Sequence, residues 1–111
     1  MLDTEIESIV KEIDALHIND SKIYEYWNKI THLLSQNEQE TINFLLNCND
    51  YNIIATVAVA FIDISWRLQS KRFIKCIEFV ENKFPKANIK HMVKAAKNAI
   101  LDDEDTTAPP V

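Results

Sequence analysis

The sequence predicts an all-α fold, and three observations carry that prediction. None of the 111 residues is glycine, so the chain lacks the residue that most readily takes the positive-φ turns of β-hairpins. Apolar residues recur at three- and four-residue spacings, the period of an amphipathic helix. The connectors between these stretches are one to six residues long, and short connectors set neighbouring helices antiparallel. The prediction is six helices folded as three stacked antiparallel hairpins, 3–35, 38–66 and 70–101, in one HEAT-like, α-solenoid-like domain over residues 1–101. A chain of this length forms one domain and buries roughly 65% of its unfolded surface.

Each helix has its own signal. Residues 3–17 place Ile6, Ile9, Val10, Ile13 and Leu16 on one face, with Thr4 and Glu7 at capping-box spacing. Residues 21–35 carry Ile23, Trp27, Ile30 and Leu34. Residues 38–48 follow Asn37, a cap with Glu40 three positions on, and bury Ile42, Leu45 and Leu46. Asp50 caps a fourth helix, 51–66, which is apolar nearly all round and therefore central. Ser70 caps a fifth, with Phe73, Ile74, Ile77, Val80 and Phe84 inward, and Pro85 then breaks the chain. Residues 87–101 form the last, with Ile89, Met92, Val93, Ala96 and Ile100 inward. The segment 102–111, DDEDTTAPPV, is acidic, contains two prolines and has too little to bury, so disorder is expected there. No internal sequence repeat is visible, although hairpins of about 30 residues suit a repeat-like stack.

Composition excludes several functions. Without glycine there is no P-loop and no dinucleotide-binding turn. Cys48 and Cys76 lie in apolar helical patterns and read as buried free thiols of a reducing cytoplasm. The opening MLDTEIES is acidic and lacks a signal-peptide core. The longest apolar stretch, Ile53 to Ile62, falls short of the ~20 residues that span a bilayer. A cytoplasmic protein without a membrane partner is expected.

The net charge of −5 hides a division. Residues 1–64 hold eleven acids and three bases; residues 65–101 hold nine bases and two acids; residues 102–111 add four acids. The first two hairpins should attract basic partners. The third permits contact with nucleic acid through Arg67, Arg72, Lys75 and Lys90. Against that, Lys90, Lys94 and Lys97 form the solvated face of the last helix with no interleaved aromatics. The acidic tail can also shield this surface.

No catalytic constellation emerges. His17, His32 and His91 have no second histidine at ligand spacing, and no paired CxxC is present. A Cys–His pair would need a cleft and an oriented base. Glu78 and Glu81 lie on a lysine-rich helix, where salt-bridge partnership is the ordinary role. A non-enzyme is expected, with no metal, cofactor or small-molecule substrate.

Binding chemistry is the better-supported alternative. At 100° per residue, Asn52, Thr56, Asp63 and Arg67 fall on one narrow stripe of the fourth helix, flanked by Val59, Ala60 and Trp66. Asp63 thus marks the wet side of a greasy rod and can pair with Arg67. Tyr24 lies off the core face of the second helix beside Asn28 and Thr31, and Tyr51 starts the fourth beside Asp50. Tyrosine and tryptophan beside carboxylates are ingredients of a binding hot spot. The candidate partner-binding set is Tyr24, Glu25, Asn28, Asp50, Tyr51, Asn52, Thr56, Asp63, Trp66 and Arg67.

Residues 49–100 supply a resemblance. Asp50 opening a helix, Asp63 late in it, Gln69-Ser70-Lys71 opening the next, and Phe84-Pro85 before the last are its elements. The run resembles small all-helical immunity proteins of bacterial contact-dependent inhibition and other polymorphic toxin systems. The resemblance implies a cytoplasmic protein that forms a heterodimer with one cognate toxin and blocks its active site or substrate. A basic toxin domain, such as a nuclease, would suit the acidic hairpins.

Overall fold

The computed structural model describes residues 2–16 and 20–101, and every regular element among them is helical. The helices are α1 (Leu2–Ala15), α2 (Lys22–Leu34), α3 (Glu38–Asn47), α4 (Tyr51–Val57), α5 (Phe61–Leu68), α6 (Lys71–Lys83) and α7 (Lys90–Asn98). A 3₁₀ turn, Ala58–Ala60, joins α4 to α5, so the two form one rod. Another, Pro85–Ala87, follows α6, where the proline ends the α-helix.

Three of the four expected caps form. Asn37 accepts the Glu40 N–H at 3.0 Å, Asp50 accepts the Asn52 N–H at 2.9 Å, and Ser70 accepts the Phe73 N–H at 3.0 Å. Thr4 is a correction. The helix already begins at Leu2, so Thr4 and Glu7 lie inside it. The final helix is also shorter than expected, because Asn88 turns left-handed (φ 55°) and restarts the chain after Pro85. His17 and the expected disordered tail, 102–111, lie outside the described residues.

The core is a single cluster drawn from every helix. Phe61 and Phe73 meet edge-on within it, centroids 5.8 Å apart, and both are fully buried. Trp27 is half-buried against this core, as its position on α2 predicts. The rod lies among α1, α2 and α7, which cover its inward side. By length and composition alone, Tyr51–Leu68 is apolar enough to cross a membrane, with mean hydropathy 1.3 over 18 residues. Asp63 and Arg67 interrupt its outer face.

Side-chain ties set helix directions. α1 and α2 pack together antiparallel, with the Tyr26 hydroxyl donating to Glu12 at 2.7 Å. That bond, followed by desolvation, pushes the Tyr26 pKa up. α3 lies along α6 in the same direction. At their starts Arg72 meets Glu38 at 2.9 Å and Ser70 also bonds Glu38; at their ends the Lys83 ammonium donates to the Cys48 carbonyl at 3.1 Å. α5 and α7 are parallel too: Ser65 donates to the Ala96 carbonyl at 2.6 Å, and Gln69 to the Ala99 carbonyl at 2.9 Å. α6 and α7 pack on each other as well.

Gln69 ends α5 in the left-handed region (φ 45°), where a chain without glycine must use another residue. That conformation costs about 1–2 kcal/mol. Its amide is fully used: two N–H groups reach the Trp66 and Ala99 carbonyls, and its oxygen accepts the Leu101 N–H at 2.7 Å. Three bonds at about 0.5–1.5 kcal/mol each offset the strain. Gln69→Ala keeps the strain and loses the bonds, so denaturant melts should show a loss of about 1–3 kcal/mol. Gln69→Gly loses the bonds but removes the strain, and should lie about 1 kcal/mol above the alanine variant. A glycine variant more stable than the parent would show that the bonds contribute less than the strain costs.

Candidate functional site

An open groove of about 1070 Å³ lies between α1, α3 and the start of α4. Its length is set by helix packing. α1 lies across α3 and α4, and Asn52 ties α4 to α1 by donating to Asp14 at 3.0 Å. Buried Val10, Phe44 and Ile53 line part of it. Five carboxylates, Asp3, Glu7, Asp14, Glu40 and Asp50, share it with one base, Lys11. None of the five forms an ion pair among the described residues. Asparagines 43, 47, 49 and 52 add amide donors and acceptors. Such a surface can receive lysine or arginine side chains; the Cys48 thiol, which donates to the Asp50 carbonyl at 3.6 Å, also lines it.

The rod's outer face is the second feature. The 3₁₀ turn advances ~120° per residue instead of ~100°, which rotates α5 by some tens of degrees relative to α4. Val59, Ile62 and Trp66 consequently line up outward, 43%, 44% and 55% exposed. Ala60, expected beside the polar stripe, is buried instead, for the same reason. Asp63 is exposed and has no hydrogen bond or ion pair among the described residues. The anticipated Asp63–Arg67 pair is not formed: both side chains are solvated, and an exposed pair is worth little.

The ten predicted site residues fall in three places. Asp50 and Asn52 belong to the groove, although Asp50 is engaged in capping α4. Asp63, Trp66 and Arg67 occupy the far end of the rod, all exposed; Tyr51 is exposed at its start and Thr56 half-buried between. Tyr24, Glu25 and Asn28 are exposed together on α2, where Tyr24 stacks edge-on with Trp27 at 5.5 Å. No hydrogen bond, ion pair or ring contact joins this trio to the rod among the described residues. Asp3, Glu7, Asp14, Glu40 and asparagines 43, 47 and 49 were not among the site residues predicted from the sequence. Their signal is faint: Glu40, Asn43 and Asn47 follow helical spacing on the polar side of α3, but only packing on α1 makes that side a groove wall.

The basic third of the chain is less free than its composition suggests. Arg72 pairs with Glu38, Lys83 binds the last carbonyls of α3, and Lys97 pairs with Glu78 at 3.1 Å. Among the described residues, no group of three or more His, Cys, Asp and Glu is arranged to hold a metal ion. His32 contacts Gln36, and His91 is exposed. No known family, curated protein or solved structure matches the chain.

Both thiols are shielded. Desolvation pushes the Cys48 thiol up, and burial pushes Cys76 from about 9 to about 11. A thiol raised in the folded state contributes stability that is intact below its unfolded pKa and disappears as pH rises through the folded one. Stability should therefore fall between pH about 9 and about 11. Denaturant midpoints compared across that window should drop further for the parent than for Cys76→Ala. Equal drops would assign the loss to other groups.

Proposed function

We propose that this protein is a non-enzymatic interaction module, a small HEAT-like stack of helical hairpins that binds one basic protein domain. In the manner of the immunity proteins it resembles, it acts in the cytoplasm, forms a heterodimer with a cognate toxin such as a nuclease, and covers that toxin's active site or substrate path. The parallel α3–α6 and α5–α7 pairs support the stacked-hairpin reading, because translating one hairpin onto the next leaves equivalent helices parallel.

One observation carries the functional reading: five carboxylates share a groove with a single lysine and no internal ion pair among the described residues. Crowded like charges raise the energy of the isolated protein, and a basic partner relieves it. On the other side, Arg72, Lys83 and Lys97 are engaged within the fold. That weighs for a protein partner over a nucleic-acid backbone. Trp66, Tyr51 and Tyr24 supply exposed aromatic anchors of the kind that dominate interface energetics.

The first observation to make is whether the adjacent upstream reading frame encodes a large secreted protein with a variable C-terminal domain; where it does, that domain is the ligand to test. Asp50 is a poor target, since its reversal also removes a cap worth ~1 kcal/mol. Glu7→Lys, Glu40→Lys and Asp63→Lys together should weaken binding by about 100-fold or more, with circular dichroism unchanged. Unchanged affinity in a folded variant would reject these surfaces as the contact.

A further inference from the structure

Five exposed side chains run along one face of the rod: Val59, Ile62, Asp63, Trp66 and Arg67. Their spacing (i, i+3, i+4, i+7, i+8) is that of a helix face that packs on another helix. The opposite face of α5 is already occupied by the core, through Phe61, Ile64 and Ser65. The short helix thus carries a second apolar seam, and this one faces solvent.

The seam is complementary to itself. Ile62 and Trp66 lie four residues apart, as do Asp63 and Arg67. The midpoints of the two pairs, Ile64 and Ser65, are neighbours, about 1.5 Å apart along the axis. A single two-fold axis at that level therefore serves both pairs. In an antiparallel contact it brings Ile62 to Trp66 of a second copy and Asp63 to that copy's Arg67. An isologous interface demands this reciprocity, since each residue meets its counterpart's partner twice. Neither Asp63 nor Arg67 forms an ion pair among the described residues, so both charges are available across the contact. One acid and one base leave the face without net charge, unlike the groove, and a basic surface would meet Arg67 as well as Asp63.

We propose that two copies of the chain associate antiparallel through this face, with Ile62 and Trp66 as the seam and Asp63 meeting Arg67 reciprocally. One helix face buries less than the ~800 Å² per subunit of a standard interface, so the dimer is weak. A dissociation constant of about 100 µM is expected. The contact lies apart from the acidic groove and is tested on the chain alone, so its failure leaves the proposed basic partner standing. Where that partner also uses Asp63 and Trp66, it competes with the second copy.

Sedimentation equilibrium of the full chain from about 10 µM to about 1 mM reads the association. Asp63→Arg and Arg67→Asp each set like charges opposite one another, and each should weaken it about tenfold or more. Combining Asp63→Arg with Arg67→Asp in one chain should restore it, as should mixing the two single variants. Trp66→Ala should weaken it about 30-fold or more. All three side chains are exposed, so circular dichroism of each variant should match the parent. A chain that stays monomeric at the highest concentration overturns the proposal. Association that either single reversal leaves unchanged, or that the combined exchange fails to restore, overturns it equally.

Discussion

The rotation of the rod Tyr51–Leu68 about its own axis governs both the core and the surface of this protein. Turned one way, it delivers Ile53, Ile54, Val57, Phe61 and Ile64 to the interior. The opposite side then presents Val59, Ile62, Asp63 and Trp66 to solvent. A helix cannot change one of these faces without changing the other. The burial of five large side chains, at about 1.5–3 kcal/mol each, far outweighs the cost of leaving Ile62 and Trp66 half in water. The core thus fixes an apolar, charge-flanked ridge on the exterior as a consequence of its own packing.

Ties between parallel helices extend that constraint through the fold. The α3–α6 pair is held at both ends by charge, Arg72 to Glu38 and Lys83 to the Cys48 carbonyl. The α5–α7 pair is held by Ser65 and Gln69. These contacts draw on the basic third of the sequence and on Glu38, while leaving the carboxylates of α1 unpaired among the described residues. Three bases, Arg72, Lys83 and Lys97, are tied down in this way, while the five acids of the groove form no ion pair among the described residues. The proposal of a basic protein partner rests on that contrast.

Much of this was legible in the sequence. The apolar spacings placed every helix, and Asn37, Asp50 and Ser70 marked three starts because a short polar side chain before an apolar run has one dominant use. Thr4 failed because helix formation began upstream of it, and capping-box spacing does not say which of several polar residues is first. The outward position of Asp63 followed from periodicity and needed no knowledge of neighbours. The alignment of Val59 and Ile62 with Trp66 did not, because a uniform 100° step misses the tightened turn at Ala58–Ala60. The groove was hidden for another reason. It belongs to no single helix, and its acids come from segments as far apart as Asp3 and Asp50.

The central claim is electrostatic capture of a basic protein by a rigid acidic surface, and rate measurements address it most directly. Stopped-flow association of the chain with the proposed basic partner domain, measured from ~50 to ~500 mM salt, should show an association rate constant falling about tenfold or more while dissociation changes little. An association rate indifferent to salt, or a failure of the two proteins to associate at low salt, would contradict the account.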